Sequence, residues 1–215
     1  FGDEVGQMIA VVVAAHPDDE TIGVGGTIAR LFDEGHRVHV VVVTTPLRDA
    51  APRRVEARRA CDVLGVTDLV FGPFDELALS STTVPLMAAF LAEQLGRYRP
   101  AQVYTHHVGE LHQDHALVAR ATMVAARLYS APWTRQLYAY YVDTYETVAR
   151  KFTAFSVLTE AQLGRKTEAL KQYVTEIQPS PGLRSVETME LRARYFLTLV
   201  HQYAAEPLEP IWMVL

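Results

Sequence analysis

The sequence predicts an α/β fold built on a mainly parallel β-sheet. Residues 8–15 and 37–45 are continuous apolar runs rich in valine, which is typical of strands buried on both faces of a parallel sheet. A segment with helical character, residues 27–34, lies between them, as in a right-handed βαβ unit. Polar clusters directly follow two of the predicted strands, and this order places chemistry at the carboxyl edge of the sheet.

The remaining segments continue the alternation of helices and strands. The apolar spacing, together with glycine and proline at the ends, predicts further helices at residues 53–64 (with Gly65 as the C-cap), 84–98, 116–128, 160–175 and 186–203. Short apolar runs predict strands at 69–71, 101–105, 137–145 and 152–158. We expect a loop at 46–52, a turn at 72–75 and an extended tail that seals the core.

Length and composition limit the class of protein. The 215 residues fit one domain with a full core, so we expect residues 1–215 to form a single domain. Hydrophobic residues make up 49% of the chain and charged residues 21%, a balance that excludes a disordered protein. The formal net charge of −5, without a basic run, argues against a nucleic-acid partner.

Cysteine content and hydropathy indicate the compartment. The single cysteine, Cys61, excludes an internal disulfide and a cysteine-based zinc site, and suits a reducing environment. No apolar run approaches the ~18 residues of a membrane span. We therefore expect a cytoplasmic protein that acts on a small molecule, and a homo-oligomer is compatible with this interpretation.

The first polar cluster, residues 15–20 (AHPDDE), follows the first strand. Three carboxylates packed together repel one another unless a cation or a proton intervenes. His16 and Asp19 are three residues apart on a turn that enters a helix, so both side chains can point at one metal ion. Asp18 lies between them and is free to accept a proton from a bound water.

The second polar cluster, residues 106–115 (HHVGELHQDH), follows the strand at 101–105 and precedes a helix. His115, at the helix start, can supply a third metal ligand. His112 lies three residues earlier and can act as an acid or as a donor to an oxyanion. Asp114 is placed to hold an imidazole. Of His106 and His107, we expect one to line the pocket and the other to pack.

Each cluster also has an explanation without a metal. Acidic residues at a helix N-terminus interact favourably with the helix dipole, and single histidines at strand ends often only pack. The glycines at 23–26 imitate a phosphate-binding loop, but the acids before them would repel a pyrophosphate. Two such clusters at one sheet edge favour a hydrolytic metal site, with three N/O ligands and an open position for water.

Together, the two clusters resemble the metal motifs of the LmbE-like (PIG-L) family of zinc-dependent N-deacetylases. The similarity continues through residues 25–29 (GGTIA), 35–44, 53–57 (RRVEA), 64–65 and 166–173 (KTEALKQY). The resemblance implies a Rossmann-like, three-layer α/β/α fold. It also implies hydrolysis of an N-acetyl group, most often on an N-acetylglucosamine that is attached to another group.

The resemblance also implies residue roles. His16, Asp19 and His115 correspond to the ligands of one zinc ion per chain, and ferrous iron suits the same ligands. Asp18 corresponds to the general base, His112 to the acid or oxyanion donor, and Asp114 to the residue that orients that histidine. The positions that border the expected substrate pocket are Arg53, Arg54, Asp75, His107 and Glu110.

Three departures from the family pattern border the same pocket. The loop at 46–52 lacks a Gly-Glu pair, Glu110 replaces a tyrosine of some members, and Glu176 replaces a frequent glutamine. They leave two alternatives open. One is an amidase or deacylase that acts on another acylated amine or thiol conjugate in secondary metabolism. The other is a family member that binds metal without catalysis.

Overall fold

A seven-stranded β-sheet runs through the centre of the structure, a computed structural model that describes residues 6–45, 50–142 and 152–214. Its strands are β1 (Ile9–Ala14), β2 (Arg37–Thr45), β3 (Asp68–Asp75), β4 (Gln102–His106), β5 (Gln136–Tyr140), β6 (Ala154–Leu158) and β7 (Ala204–Met213). The order across the sheet is β3-β2-β1-β4-β5-β7-β6. Strands β1 to β5 run parallel, and β7 lies antiparallel between β5 and β6. The predicted mainly parallel sheet is confirmed.

Helices cover both faces of the sheet and give three layers. They are α1 (Asp19–Asp33), α2 (Ala50–Leu64), α3 (Val84–Tyr98), α4 (Gln113–Ala125), α5 (Glu160–Leu170), α6 (Val186–Tyr195) and α7 (Leu197–Val200). One apolar core joins the sheet to α1, α2, α5 and α6, and a second core joins its other face to α3 and α4. In the parts of the chain given above, no helix is long and apolar enough to cross a bilayer.

Helix α1 begins earlier than the sequence predicts. It starts at Asp19 rather than at residue 27, because the glycine-rich segment continues the helix with one break at Val24 (φ −137°, ψ 23°). Glycine is required here by close packing: a Cβ atom on Gly23 would lie 2.3 Å from the Tyr140 ring, and one on Gly26 would lie 2.3 Å from Leu158. The acids of the first cluster therefore belong to the first turn of α1.

A buried ion pair stabilises the break in α1. Lys166 of α5 and Glu206 of β7 are only 4% and 1% exposed. The Lys166 ammonium donates to the carbonyl of Ile22, at the end of the first half-helix, over 2.8 Å. The Glu206 carboxylate accepts the backbone N–H groups of Gly26 and Thr27, at the start of the second half, over 2.9 and 2.7 Å. Each charge thus matches the dipole of the half-helix that it contacts.

Several other boundaries differ from the prediction. Strand β3 continues through the expected turn at 72–75, because it pairs with β2 beyond a bulge between Val42 and Thr44. Helix α4 begins at Gln113, three residues early, which brings His115 into its first turn. Helix α5 ends at Leu170, and the helix expected at 186–203 divides into α6 and α7. The extended tail forms strand β7, inside the sheet.

Two predicted segments lie partly outside the described residues. Of the loop expected at 46–52, residues 46–49 are not described, and residues 50–52 form the start of α2. Of the strand expected at 137–145, residues 143–145 are not described, and β5 ends at Tyr140.

Candidate metal centre

The two polar clusters meet at the carboxyl ends of β1 and β4, which are neighbours in the sheet. The order of the strands reverses between them, and this is the point at which open α/β sheets bind ligands. The first cluster occupies the turn from β1 into α1, and the second occupies the segment from β4 into α4. The topology therefore brings residues about 100 positions apart in sequence into one site.

Two imidazole nitrogens converge on the carboxylate of Asp19. Its Oδ2 atom lies 3.3 Å from Nδ1 of His16 and 3.4 Å from Nε2 of His115. Bonds of about 2.0–2.1 Å to a tetrahedral zinc ion separate neighbouring ligand atoms by about 3.3 Å. Asp19 and His115 are each 1% exposed, and His16 is also buried. Within the described residues, one ligand atom each of His16, His112 and His115 lie within 4.8 Å of one another, and so do those of Asp19, His106 and His115. His115 belongs to both groups, and either could hold a divalent metal.

The second nitrogen of each histidine is bound by a carboxylate. Nε2 of His16 lies 3.0 Å from Asp114 Oδ2, and Nδ1 of His115 contacts Glu110 Oε2. Because an ionised carboxylate only accepts, we assign the ring protons to these outward nitrogens. When each ring is neutral, as metal binding requires, its inner nitrogen presents a lone pair towards Asp19. Such carboxylate–histidine pairs are typical of metal ligands, whose orientation and basicity they set.

Unpartnered atoms at the site support the same interpretation. Within the described parts of the chain, Nε2 of His115 and Oδ1 of Asp19 are buried and have no hydrogen-bond partner. Buried polar atoms normally find a partner, so each such atom requires an explanation. Oδ2 of Asp19 does accept the backbone N–H of His16, over 2.8 Å, and this bond fixes the carboxylate in the turn. A cation would satisfy the unpartnered atoms.

His106 supports the site from behind. The side chain is fully buried, and Nε2 lies 3.3 Å from Asp19 Oδ2. The same nitrogen accepts the backbone N–H of Ala15 over 2.9 Å, so its lone pair is already used. His106 therefore anchors the turn after β1, and His16, Asp19 and His115 are the better metal ligands.

The buried charges perturb one another strongly. Burial acts to lower the pKa of His16, but hydrogen bonds and charges of Asp114 and Asp19 raise it to about 10. Burial acts to raise the pKa of Glu110, but its contacts with His106 and His115 lower it to about 2. Burial also acts to raise the pKa of Asp19, which the neighbouring imidazoles of His115 and His106 nevertheless hold well below its usual range. The site is thus arranged for ionised carboxylates around a positive centre.

Asp18 is buried next to this group in an unusual backbone conformation. Its φ angle of 113° lies in the left-handed region, which a non-glycine residue rarely occupies and which costs free energy. Its N–H donates to Glu20 Oε2 over 3.2 Å, and Glu20 in turn accepts a hydrogen bond from the Tyr173 hydroxyl. Burial and then the charge of Asp19 raise the pKa of Asp18 well above its usual value, against the opposing charge of Arg184.

A cleft of about 200 Å³ opens onto the site. Its walls are formed by His16, Asp18, Asp19, Arg53, Glu76, Leu77, His112 and Arg184. The His112 ring lies 4.9 Å from that of His16 and 4.4 Å from that of His115, between centroids. Burial, and then the neighbouring imidazoles of His115 and His16, lower the pKa of His112. A carboxylate, an imidazole and the cluster of donors around Asp19 therefore face one accessible space.

The structure places two second-cluster carboxylates differently from the prediction. Asp114 contacts His16 and accepts the N–H of Leu77 over 2.9 Å, whereas the sequence predicts that it orients His112. Glu110 is expected to border the pocket, but it is buried behind His115 and accepts the N–H of Val142 over 2.8 Å. Each carboxylate contacts the imidazole whose ring nitrogen is oriented towards it. The sequence does not specify this orientation.

The other expected pocket residues separate into two groups. Arg53 lines the cleft and pairs with Glu76 over 2.7 Å. Arg54, Asp75 and His107 do not line the cleft. The Arg54 guanidinium donates to Thr45 and lies over the Phe71 ring. Asp75 is exposed at the end of β3, and His107 pairs with Glu209 over 3.1 Å.

Sequence reasoning does not find four residues of the site. Glu76 directly follows Asp75, the acid that the sequence predicts at the pocket. Because β3 extends to Asp75, the acid that lines the cleft is Glu76. Arg184 lies 3.4 Å from Asp18 Oδ2 but 166 residues away in sequence, in a segment without a motif. Leu77 contributes a backbone N–H, to which its residue type gives no signal. Tyr173 lies in segment 166–173, which resembles the family. The resemblance indicates the position of Tyr173 but not its hydrogen bond to Glu20.

Comparisons with known proteins find a family model and curated relatives that match this chain. The family model described as PIG-L: GlcNAc-PI de-N-acetylase matches residues 11–126, which include both polar clusters. The uncharacterized deacetylase YaiS of Escherichia coli (strain K12) is 31% identical over 125 residues, which are 54% of this chain and 67% of YaiS.

A second relative and a solved structure extend the similarity. The 1D-myo-inositol 2-acetamido-2-deoxy-alpha-D-glucopyranoside deacetylase of Streptomyces griseus is 33% identical over 180 residues, which are 66% of this chain and 54% of that protein. The chain thus spans between about half and two thirds of the length of these two relatives. The crystal structure of the conserved protein TT1542 from Thermus thermophilus matches 97% of both chains with a TM-score of 0.82 at 25% identity.

These matches confirm the resemblance that the two motifs indicate, and they confirm the three-layer α/β fold. The family match spans more than half of the 215 residues and contains every candidate metal ligand. The chain belongs to the PIG-L family.

Proposed function

We propose that the protein is a zinc-dependent N-deacetylase that removes the acetyl group from an N-acetylglucosamine-type conjugate. His16, Asp19 and His115 would hold the ion, and ferrous iron suits the same donors. The observation that carries the proposal is the pair of imidazoles whose inner nitrogens lie 3.3 and 3.4 Å from one Asp19 oxygen, while carboxylates bind their outer nitrogens. This arrangement would offer two imidazoles with fixed tautomers and one carboxylate as ligands.

The chemistry divides between the bound ion and the side chains of the cleft. Zinc in this position supplies Lewis-acid activation of water and of an amide carbonyl. Asp18 then accepts the proton of the attacking water, a role that suits a buried carboxylate with a raised pKa. His112 faces the same cleft and would donate a hydrogen bond to the oxyanion, while the proton that Asp18 has accepted would pass to the departing amine.

Arg184 and Glu20 position Asp18 for this step. The Arg184 guanidinium lies 3.4 Å from the Asp18 carboxylate, on the side of the cleft. Glu20 binds the backbone N–H of Asp18 and keeps it in its left-handed conformation. The carboxylate therefore has a fixed direction before substrate enters, which reduces the entropic cost of reaching the transition state.

Two observations support an aminosugar as the substrate. The Streptomyces griseus relative is named for an acetamido-glucopyranoside substrate. In the cleft of this chain, Arg53 and Glu76 line the same space and are paired over 2.7 Å, so a donor and an acceptor lie side by side on one wall. Such a wall suits the hydroxyl groups of a sugar, each of which both donates and accepts.

The test is amine release from a panel of N-acetylglucosaminides by the zinc-loaded protein. The panel includes N-acyl homologues and acylated thiol conjugates, because these are the alternative substrates. Asp18→Asn is the inactive variant, and Asp62→Asn, an exposed carboxylate on α2, is the matched control. We expect release by the parent and by Asp62→Asn, and loss of release in Asp18→Asn with metal content unchanged.

Other outcomes would redirect the proposal. Release from an acylated thiol conjugate alone would replace the aminosugar by the alternative substrate class. A protein that binds one metal ion per chain and releases no amine from any panel member would contradict the enzymatic function. Equal activity in Asp18→Asn and in the parent would show that another group accepts the proton.

A further inference from the structure

A second cleft lies at the amino edge of the sheet, at the opposite end of the strands from the metal centre. Its volume is about 400 Å³. Arg37 and His39 of β2, Asp68 at the start of β3, and Arg97 and Tyr98 at the end of α3 line it. Because the metal centre is formed at the carboxyl ends of β1 and β4, this cleft is separate from it.

The imidazole of His39 is a buried polar group of this cleft. The residue is 3% exposed, and among the residues that the structure describes its buried Nδ1 atom has no hydrogen-bond partner. The Tyr98 ring stacks on the imidazole with centroids 4.1 Å apart. A buried imidazole normally binds a protein group or a bound molecule. His39 is therefore placed to donate to a ligand in the cleft.

The charges around His39 favour an anion. Arg37 is exposed at the start of β2. Asp68 is the single carboxylate among the lining residues, and it already accepts the Tyr98 hydroxyl over 2.6 Å and lies 3.7 Å from Arg97. Burial and the positive charge of Arg37 lower the pKa of His39, so the ring is neutral. Two guanidinium groups and one carboxylate leave the cleft with one positive charge.

The aromatic side chain of the cleft is not available for a planar ligand. Tyr98 is only 8% exposed, since His39 stacks on its ring and the Arg97 guanidinium lies 5.1 Å from its centroid. A nucleobase or another flat ring would need an open aromatic face. Recognition at this site therefore depends on charge and hydrogen bonds.

We propose that this cleft binds the oxyanion group of a small molecule, a phosphate or a carboxylate. Arg37 and Arg97 balance its charge, and His39 donates a hydrogen bond to it. Guanidinium groups match the geometry of both kinds of oxyanion and bind them with charge-assisted hydrogen bonds. The site is independent of the metal and of the proposed deacetylation.

The proposal is tested by NMR of the His39 imidazole, whose resonance is identified by its loss in His39→Gln. The metal-loaded protein is titrated with inorganic phosphate, and separately with acetate, at constant ionic strength. We expect a saturable shift of the His39 resonance. Arg37→Gln and Arg97→Gln should each raise the midpoint about tenfold, the effect of losing one hydrogen bond to a charged group. Arg59→Gln, an exposed arginine on α2, is the control and should not change the midpoint.

The phosphate titration, the acetate titration and the arginine variants distinguish the possible outcomes. Saturation with phosphate alone identifies a phosphate ligand, and saturation with acetate as well identifies a site that accepts carboxylates. A shift that grows linearly without saturation would overturn the proposal. So would a midpoint that is the same in Arg37→Gln and Arg97→Gln as in the parent, because the anion would then bind elsewhere.

Discussion

Glu110 holds the His115 ring from the side opposite to Asp19, so that Nδ1 faces one carboxylate and Nε2 faces the other. Glu110 also accepts the N–H of Val142, just after β5, and lies 3.6 Å from Nδ1 of His106. One buried carboxylate thus connects the segment after β5 to the imidazole at the start of α4. The orientation of the candidate ligand His115 therefore depends on Glu110, which the sequence predicts to border the substrate pocket.

Replacing Glu110 by glutamine should weaken metal binding without unfolding the protein. The amide can still contact Nδ1, but the basicity of His115 falls, and losses of this kind reduce metal affinity about 10- to 100-fold. Competition with a chromophoric chelator measures the change. Glu93→Gln, an exposed residue on α3, should bind metal as the parent does. Unchanged affinity in Glu110→Gln would mean that its carboxylate does not tune the ligand.

His115→Ala and Asp18→Asn should separate metal binding from catalysis. Removal of the His115 imidazole should deplete the metal, because one of three ligands is lost. Asp18→Asn should keep the metal and lower kcat about 10²- to 10⁴-fold, the usual effect of losing a general base. Metal content per chain and amine release are measured on the same samples. Full occupancy in His115→Ala would remove that residue from the ligand set.

Metal binding should release a proton and strengthen as the pH rises. Without a cation the pKa of His16 is about 10, so the ring is charged at neutral pH and must lose a proton before it binds metal. Apparent affinity should rise by up to about tenfold per pH unit between about pH 7 and about pH 9. Calorimetry in buffers of different ionisation enthalpy counts the protons. An affinity that is flat over this range would contradict the assignment of His16.

The same shift predicts how the stability of the metal-free protein depends on pH. The pKa of His16 is raised from 6.5 to about 10 on folding, so its contribution to stability is complete below about pH 6.5 and is lost as the pH rises towards 10. The Tm of the metal-free protein should therefore fall over this interval. His16→Asn removes the titrating group and should flatten the dependence, which thermal unfolding at several pH values would measure.

Lys166→Met should destabilise the fold strongly. The substitution leaves the Glu206 carboxylate buried beside the break in α1 without its cation, and breaking a buried pair typically costs about 3–5 kcal/mol. Urea denaturation measures the free energy of unfolding. Lys171→Met removes an exposed pair with Glu168 and should cost less than about 1 kcal/mol. Similar losses in both variants would mean that the buried pair has no special role.

The sequence predicts the parts of this protein that depend on local spacing. The strands of the parallel sheet and the convergence of His16, Asp19 and His115 follow from apolar runs and from polar residues at strand ends. The partners of those ligands depend on side-chain rotamers. The sequence therefore predicts neither the contact of Asp114 with His16 nor that of Glu110 with His115. Arg184 reaches Asp18 from a distant segment without periodicity, and only the folded chain shows this contact.

The early start of α1 has a different cause. A glycine-rich segment is a poor helix former, and helical continuation through Val24 requires the Lys166–Glu206 pair from α5 and β7. Local propensity therefore predicts a turn where the tertiary structure stabilises a helix.

The position of β7 has a consequence for the order in which the molecule folds. Among the described strands, β6 pairs with β7 alone, at the edge of the sheet. β6 therefore cannot join the sheet until β7, which comes later in the chain, has paired. Glu206 lies 180 residues after Gly26, so the capping of α1 is also among the most distant contacts of the chain. Contacts of long sequence separation slow folding, because loop-closure entropy is lost before they form. During synthesis, the metal-binding turn should therefore mature only after the final strand has left the ribosome.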